Sequence, residues 1–456
     1  MGIGPSASVS GSGAFVVEWD ASTGNEMKTG ARSPLLNDFE WRGLITDATS
    51  PSELDAHLAE APRAIYCGFD PTADSLHVGS LLPLLALRRV QLAGHRPIVL
   101  IGGGTGLIGD PSGKADERLL HPEEQVAEWA DRLKRQVERF VDFTGGACGA
   151  ILADNYEWLS KLEVVSFLRD VGKHFALGSM LARESVRSRM SRTDAGISYT
   201  EFSYQVLQAY DFLCLFRQHG CTVQIGGSDQ WGNMTAGTDL IRRVEGAAAF
   251  GLTLPLIAKA DGTKFGKSES GTVWLDPAKT SPYEMYQFWL NTSDADVIGF
   301  LKHFTFLGRD AIDDLGAQVR RHAEKREAQR VLAREVTRLV HGDAATREAE
   351  EISAAFFSGD LERLTERQLA QACQGMPKTV LSDADLRSLS IVELLTRAGL
   401  AESKRRGREL VAAGAIHVNG QPVRDADTRV SRELARYGRF IIIRKGKKTY
   451  HLAMVA

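Results

Sequence analysis

The chain has 456 residues, 43% hydrophobic and 25% charged, a profile that suits a soluble protein of two or three domains. No apolar run approaches the roughly 20 residues needed to cross a bilayer, so no membrane association is expected. The cysteines, Cys67, Cys148, Cys214, Cys221 and Cys373, form no CxxC pair, which points to reduced thiols in a cytoplasmic protein and to no zinc site or other resident metal. The net charge of −3 is uneven: residues 401–456 carry 13 Lys and Arg against 5 Asp and Glu, an excess of +8 that leaves −11 on the rest. A small basic end on an acidic body suits a polyanion such as RNA or DNA, and a solvated lysine-rich tail would share that composition.

Residues 1–36 are rich in Gly, Ser and Ala without periodicity and read as a disordered extension, or as an upstream start with Met27 as the alternative. Glu18, Asp20 and Glu26 argue against a transit peptide there, and the match of Met1-Gly2 and Ser6 to a myristoylation pattern is put down to chance. Order is expected from about Phe39-Glu40-Trp41. Ser50-Pro51-Ser52-Glu53 has the form of a capping box that opens a helix over Leu54 to Glu60.

Next comes Ala64-Ile65-Tyr66, a short buried strand, and then Cys67-Gly68-Phe69-Asp70-Pro71-Thr72 leading to His77-Val78-Gly79-Ser80 and a long apolar helix. Pro83 is tolerated near a helix start, so His77, Gly79 and Ser80 are expected at the helix N-terminus, where free N–H groups attract anions. This reads as a phosphate or nucleotide site at the carboxyl end of a parallel strand. A second strand over Pro97 to Ile101 completes a βαβ unit, the start of a doubly wound parallel sheet. The run Gly104-x-Gly106-x-x-Gly109 matches the dinucleotide fingerprint, but Asp110-Pro111-Ser112-Gly113 follows at once, so the third glycine does not open a helix.

Ile151-Leu152 reads as a further strand ending before Trp158. Ser198-Tyr199-Thr200-Glu201 is a second capping-box pattern for a helix through Phe216. On it Tyr204, Gln208 and Asp211 share one face, which suits a small polar ligand; an ordinary exposed face is the other reading. Thr222 to Ile225 is a strand leading into Gly226-Gly227-Ser228-Asp229-Gln230-Trp231-Gly232-Asn233, where glycines and an acid suit a ribose. A strand over Leu254 to Ala258 precedes Lys264-Phe265-Gly266-Lys267-Ser268, a cationic loop able to close over phosphates or simply to lie in solvent.

From about Ser281 the pattern turns helical. Ala328, Val331, Leu332, Val336, Leu339 and Val340 make one stripe ended by Gly342, and a second helix runs from about Ala344 to Phe357. The expected organisation is a Rossmann-like α/β domain over 37–280, an α-helical domain over 281–357, a linker with some helix over 358–387, and a small α+β module over 388–456. In that module Lys404, Arg405, Arg406 and Arg408 crowd one helix, Asn419-Gly420 marks a hairpin, and Phe440 to Ile443 is a strand. Basic groups on a helix beside a hairpin suit the phosphates of structured RNA.

Four features, in this order and separation, resemble bacterial-type tyrosyl-tRNA synthetases of class I: Tyr66 to Thr72 with His77 to Ser80, Gly106 to Lys114, Gly226 to Asn233, and Lys264 to Ser268. The resemblance runs from about Trp41 to the C-terminus, and the last module resembles the S4 RNA-binding fold. It implies a tyrosine–tRNA ligase that uses ATP with magnesium, forms tyrosyl-adenylate and charges tRNA(Tyr), as a homodimer. It further implies that Tyr66 and Asp211 bond the substrate phenol, that Asp110, Tyr204 and Gln208 hold its ammonium, and that Gln230 lies near its carboxylate. Cys67, Gly68, Asp70, Gly79, Ser80, Gly227, Asp229 and Ser268 would surround ATP, with Thr72, His77, Lys264 and Lys267 on its phosphates. The family's first signature usually ends in a second histidine; here Ser80 stands, which removes an imidazole from the nucleotide site. Rival readings are a non-catalytic RNA-binding or regulatory paralogue, and a nicotinamide dehydrogenase resting on the glycine run alone.

Overall fold

The computed structural model describes residues 32–112, 120–181, 186–187, 190, 197–260, 265–268, 271–446 and 449–456. Most of the expected N-terminal extension lies outside the described residues. The first described helix is α1, Pro34–Arg42, with proline in its first turn, and α2, Pro51–Glu60, follows. Ser50 precedes α2 in a left-handed conformation, φ 42°, and its side chain makes no capping bond, so the capping box expected there is absent. Between the helices lies the short strand β1, Asp47–Ala48.

The first sheet contains β1, β2 (Ala64–Phe69), β3 (Arg96–Ile101), β4 (Ile151–Asp154), β5 (Cys221–Gly227) and β6 (Phe250–Leu254), in the order β1-β6-β5-β2-β3-β4. All neighbours pair in parallel except β1 with β6. Apolar residues of β2 alternate between the two faces: Ile65 and Cys67 pack with α3 (Val78–Leu92) and α4 (Glu123–Val137), while Ala64 and Tyr66 pack with α5 (Tyr199–His219) and α6 (Trp231–Glu245). The sheet is therefore doubly wound. Its order reverses between β2 and β5, and the carboxyl ends of those two strands flank the crevice where such folds bind ligands.

Three local readings differ from expectation. The last parallel strand is Phe250–Leu254 rather than Leu254 to Ala258, because Pro255 has no N–H to donate to a neighbouring strand. Pro83 lies inside α3, beyond its first turn, so the Gly79 carbonyl lacks the partner an ordinary residue would supply. Ser198 caps α5 by accepting from Glu201 N–H at 3.3 Å, half of a capping box.

Beyond the sheet, α7 (Pro282–Leu290), α8 (Val297–Phe304), α9 (Arg309–His322), α10 (Glu327–His341) and α11 (Asp343–Ser358) form a helical layer whose core is continuous with one face of the sheet. Residues 358–387, expected as a linker with some helix, include α12 (Glu366–Cys373) and a strand, Lys378–Leu381. That strand follows Pro377 and is too short and polar to signal itself. It pairs in parallel with Thr449–Val455 of the last module. The module also holds α13 (Ile391–Arg397) and α14 (Lys404–Ala412), together with a hairpin turned by Asn419 and Gly420, both at positive φ. Phe440, Ile442 and Leu452 of its sheet join the main core.

Candidate active site

Side chains from the carboxyl ends of β2, β3, β4 and β5 converge with the inner face of α5. Asp211 is buried, and its carboxylate accepts from Asn155 Nδ2 at 2.9 Å and from Trp158 Nε1 at 2.7 Å. Burial raises its pKa to about 7, and these two donors pull the other way. Tyr66 is 1% exposed, and its hydroxyl is buried without a hydrogen-bond partner among the described residues. Burial and the Asp211 charge both push that phenol upward, so it stays protonated. A buried hydroxyl beside a buried carboxylate is costly unless something bonds to both.

The network continues past Asn155. Its Nδ2 also donates to Thr105 Oγ1 at 2.8 Å, its Oδ1 accepts from Gly104 N–H at 2.7 Å, and Thr105 Oγ1 donates to Asp70 Oδ1 at 2.8 Å. The Tyr204 hydroxyl donates to Asp70 Oδ2 at 2.7 Å. Tyr204 thus meets Asp70, which the resemblance assigned to the nucleotide, as well as the amino-acid side of the pocket. A second set is built on Asp110: Gln230 Nε2 donates to its Oδ2 at 2.6 Å and Ser112 N–H to its Oδ1 at 2.9 Å. Asn233 Nδ2 bridges Gln208 Oε1 at 3.0 Å and Gln230 Oε1 at 3.2 Å. Of the six residues expected around an amino acid, Tyr204 and Asp211 belong to the first set and Asp110, Gln208 and Gln230 to the second, while the Tyr66 hydroxyl stands outside both.

The glycines explain themselves by contact. A Cβ at Gly102 would lie 2.0 Å from Asp70 Oδ1, one at Gly103 2.3 Å from Asp154 Oδ1, and one at Gly106 3.0 Å from Pro71. These glycines make room for the side chains of Asp70, Asp154 and Pro71. Gly68 is the exposed residue of an otherwise buried strand, and a Cβ there would meet nothing within 4 Å, leaving its backbone open to a ligand. Asp229 folds back over Gly227, where a Cβ would meet its Oδ1 at 2.4 Å. Burial pushes the Cys67 thiol up to about 12, which favours its neutral form.

At the start of α3, His77 Nδ1 accepts from Gly79 N–H at 2.9 Å, and a Cβ at Gly79 would strike the imidazole at 2.6 Å. Ser80 follows with its N–H bonded to His77 C=O at 2.8 Å, while Thr72 is exposed at the end of the β2 turn. His77 also bridges to Trp274, and Val78 N–H donates to Val273 C=O at 3.0 Å. Val273 N–H in turn donates to Gly266 C=O at 3.0 Å, so the signature ending at Ser80 is joined, through the residues just after Gly271–Thr272, to a second one, the motif Lys264-Phe265-Gly266-Lys267-Ser268. Lys267–Ser268 is a short strand paired with Gly271–Thr272; Lys264 and Lys114 lie outside the described residues. Among the described residues no group of three or more His, Cys, Asp or Glu side chains is arranged to hold a metal ion.

Sequence reasoning missed Thr105, Ser112, Asn155, Trp158 and Asn233 as members of the site. It also missed Gln224, which is 3% exposed, stands in register with Tyr66, and has an Oε1 without a partner among the described residues. The available signal was position: Asn155 and Trp158 follow a parallel strand at its carboxyl end. Lys404, Arg405, Arg406 and Arg408 belong to α14, in the last module. Lys404 pairs with Glu393 at 2.8 Å, and Glu409 takes Arg405 at 3.3 Å and Arg406 at 2.8 Å.

A doubly wound sheet with an amide and carboxylate pocket at its switch point, and the start of a helix beside it, is an architecture that class I aminoacyl-tRNA synthetases share. The family model described as "tRNA synthetases class I (W and Y)" matches residues 58–358, and one for the "Tyrosine--tRNA ligase SYY-like C-terminal domain" matches residues 368–453. The tyrosine–tRNA ligase of Geobacillus kaustophilus is 54% identical over 92% of this chain and 100% of its own length, and that of Aliivibrio salmonicida is 51% identical over 92% and 99%. The crystal structure of a C-terminally truncated Aspergillus nidulans mitochondrial tyrosyl-tRNA synthetase superposes with a TM-score of 0.65 and 31% identity, covering 72% of this chain and 95% of that one. The chain belongs to the bacterial-type tyrosyl-tRNA synthetases.

Proposed function

We propose that the chain is a tyrosine–tRNA ligase, which activates L-tyrosine with ATP to tyrosyl-adenylate and pyrophosphate and then transfers the tyrosyl group to the 3′ end of tRNA(Tyr). The observation that carries its amino-acid specificity is the unpartnered Tyr66 hydroxyl beside the doubly held Asp211. A substrate phenol would donate to the Asp211 carboxylate and accept from Tyr66. Phenylalanine would leave both groups unpaired, a mode of rejection for which this enzyme family is the standard illustration.

Asp110, Tyr204 and Gln208 would hold the ammonium and Gln230 the carboxylate end. Gly68, Gly227 and Asp229 would receive the ribose, with Cys67 and Asp70 alongside. Thr72, His77, Gly79, Ser80, Lys264, Lys267 and Ser268 would hold the phosphates. No enzyme nucleophile is needed: the tyrosine carboxylate attacks the α-phosphorus, the bond to the bridging oxygen breaks, and pyrophosphate leaves. The protein contributes position and positive charge, and magnesium carried in with ATP neutralises the leaving oxygens.

Two further parts of the reading concern context. No helix among the described residues is long and apolar enough to cross a membrane, and a cytoplasmic setting fits the free cysteines. A homodimer fits the exposed apolar residues Val164, Val165, Leu168, Leu177 and Leu181 on two successive short helices. The deciding test of the activity is tyrosine-dependent exchange of labelled pyrophosphate into ATP. Folded protein that binds RNA but shows no exchange would establish the non-catalytic paralogue instead.

A further inference from the structure

The second signature is tied to the helical layer by one side chain. Phe265 is 7% exposed, and its ring centroid lies 5.7 Å from that of Phe288, 5.8 Å from Trp289 and 5.3 Å from Phe300. It stacks on Phe304 at 5.4 Å, with the planes 15° apart. The first pair of partners belongs to α7 and the second to α8. The next residue, Gly266, faces the other way. A Cβ there would meet Val78 Cγ2 at 3.3 Å, its φ is +84°, and its carbonyl accepts from Val273 N–H at 3.0 Å.

The same helix α8 is tied to the first signature. Arg89 on α3, 4% exposed, donates to the Thr305 carbonyl just past the end of α8. Arg42 donates to the carbonyls of Lys302 at 3.0 Å, Thr305 at 3.2 Å and Leu307 at 3.0 Å. Asp38 links the two guanidiniums, at 2.8 Å from Arg42 and 3.3 Å from Arg89. Cations on the last carbonyls of a helix satisfy groups that have no partner within it. One end of α8 is thus fastened to the helix that begins at His77, and its aromatic face is fastened to the residue between the two signature lysines.

Building on the tyrosine–tRNA ligase reading, we infer that α8 is a strut setting the register between the two halves of the ATP site, and that Phe265 is the positioning residue through which it acts. Phe265 is buried against aromatic side chains of α7 and α8 and is given no contact with a reactant. Its ring, locked among four others, fixes where Phe265-Gly266, flanked in the sequence by Lys264 and Lys267, meets the Val78–Gly79 turn. A small misplacement there costs rate without loosening the amino-acid pocket, which is built from other elements.

The test compares F265A, F265L and F304L with wild type in the full-length protein. Tyrosine affinity is measured by equilibrium binding, and ATP KM and kcat by pyrophosphate exchange. F265A should lower kcat/KM for ATP about 10- to 100-fold while tyrosine affinity stays within about twofold. F265L, which refills most of the box, should recover the larger part, and F304L, altered only on the strut, should shift the ATP parameters in the same direction. Should F265A fail to fold, F265L and F304L decide. Unchanged ATP parameters in the folded variants overturn the strut, as does an equal loss of tyrosine affinity, which would mark general destabilisation. Absence of exchange in the wild type would instead remove the activity on which the inference rests.

Discussion

Asn155 Nδ2 and Trp158 Nε1 reach the two oxygens of one carboxylate, Asp211, from a single turn after β4. Both lie more than 50 residues from it in the chain, yet they fix how it faces Tyr66. Replacing Asn155 by Ala removes one donor to the Asp211 carboxylate, takes the acceptor from Gly104 N–H and leaves Thr105 Oγ1 with Asp70 alone. Tyrosine affinity should fall by about 2 kcal/mol, about 30-fold, and preference for tyrosine over phenylalanine should shrink with it. Trp158→Phe should act in the same direction. Equilibrium binding of both amino acids to each variant measures this, and unchanged preference would show that Asp211 is oriented by other groups.

The same carboxylate predicts a pH dependence. Burial raises the Asp211 pKa to about 7, above its ordinary 3.8. Between those values the folded protein keeps a proton that the unfolded chain has released, so this group lowers stability as pH rises through that window. Tyrosine binding should move the opposite way, because the ionised carboxylate accepts from the phenol more strongly than the neutral acid does. Affinity for tyrosine should therefore rise as pH passes upward through about 7, and Asp211→Asn should abolish that rise. A titration with the same profile in the variant would assign it to another group.

Gly79 offers a test confined to the nucleotide side. A Cβ there would lie 2.6 Å from the His77 ring, which must then leave the amide it caps. Because the imidazole can swing away, Gly79→Ala should cost no more than about 1 kcal/mol of stability, the ordinary scale of a lost cap. Pyrophosphate exchange should nevertheless fall about 100-fold with tyrosine affinity intact. Exchange at the wild-type rate would remove His77 from the phosphate site.

These cases show what could be read from the chain beforehand. Tyr66, His77, Gly227 and Asp229 announce themselves because strand ends, glycines and a helix start stand together in sequence. The face of α5 was legible from helical periodicity, with Tyr204, Gln208 and Asp211 on one side. Asn155, Trp158 and Thr105 were not, since their role exists only where neighbouring strands bring distant turns together. Local signals also misled: Ser50 and Glu53 have capping-box spacing, but the left-handed backbone at Ser50 accompanies a side chain that makes no cap. The strand Lys378–Leu381 was hidden because four residues gain their order from pairing with Thr449–Val455, not from any pattern of their own.

The exposed residues Val165 and Leu168 test the homodimer. Buried against a second copy, they would tolerate no unpaired charge. The wild type should sediment as a dimer, and the double substitution Val165→Glu with Leu168→Glu should yield monomers that keep the thermal stability of the single chain. A monomeric wild type, or a dimer indifferent to both charges, would mean that this surface is not the interface.

The basic helix of the last module separates charging from activation. Lys404 is paired with Glu393, and Arg405 and Arg406 share Glu409, whereas Arg408 is exposed and makes no ion pair among the described residues. A guanidinium already offset by a carboxylate gains less from a phosphate than one that is not, so the four positions should differ in weight. Arg408→Glu should lower tRNA charging efficiency about tenfold at low salt and flatten its salt dependence by about one charge. Arg406→Glu should cost less, since Glu409 already offsets that guanidinium. Neither should change pyrophosphate exchange, which needs only tyrosine, ATP and the distant switch-point crevice. Equal losses at both positions would mean that the local carboxylates do not set the ranking, and a parallel loss of exchange would mean that α14 acts through the catalytic domain and not through RNA.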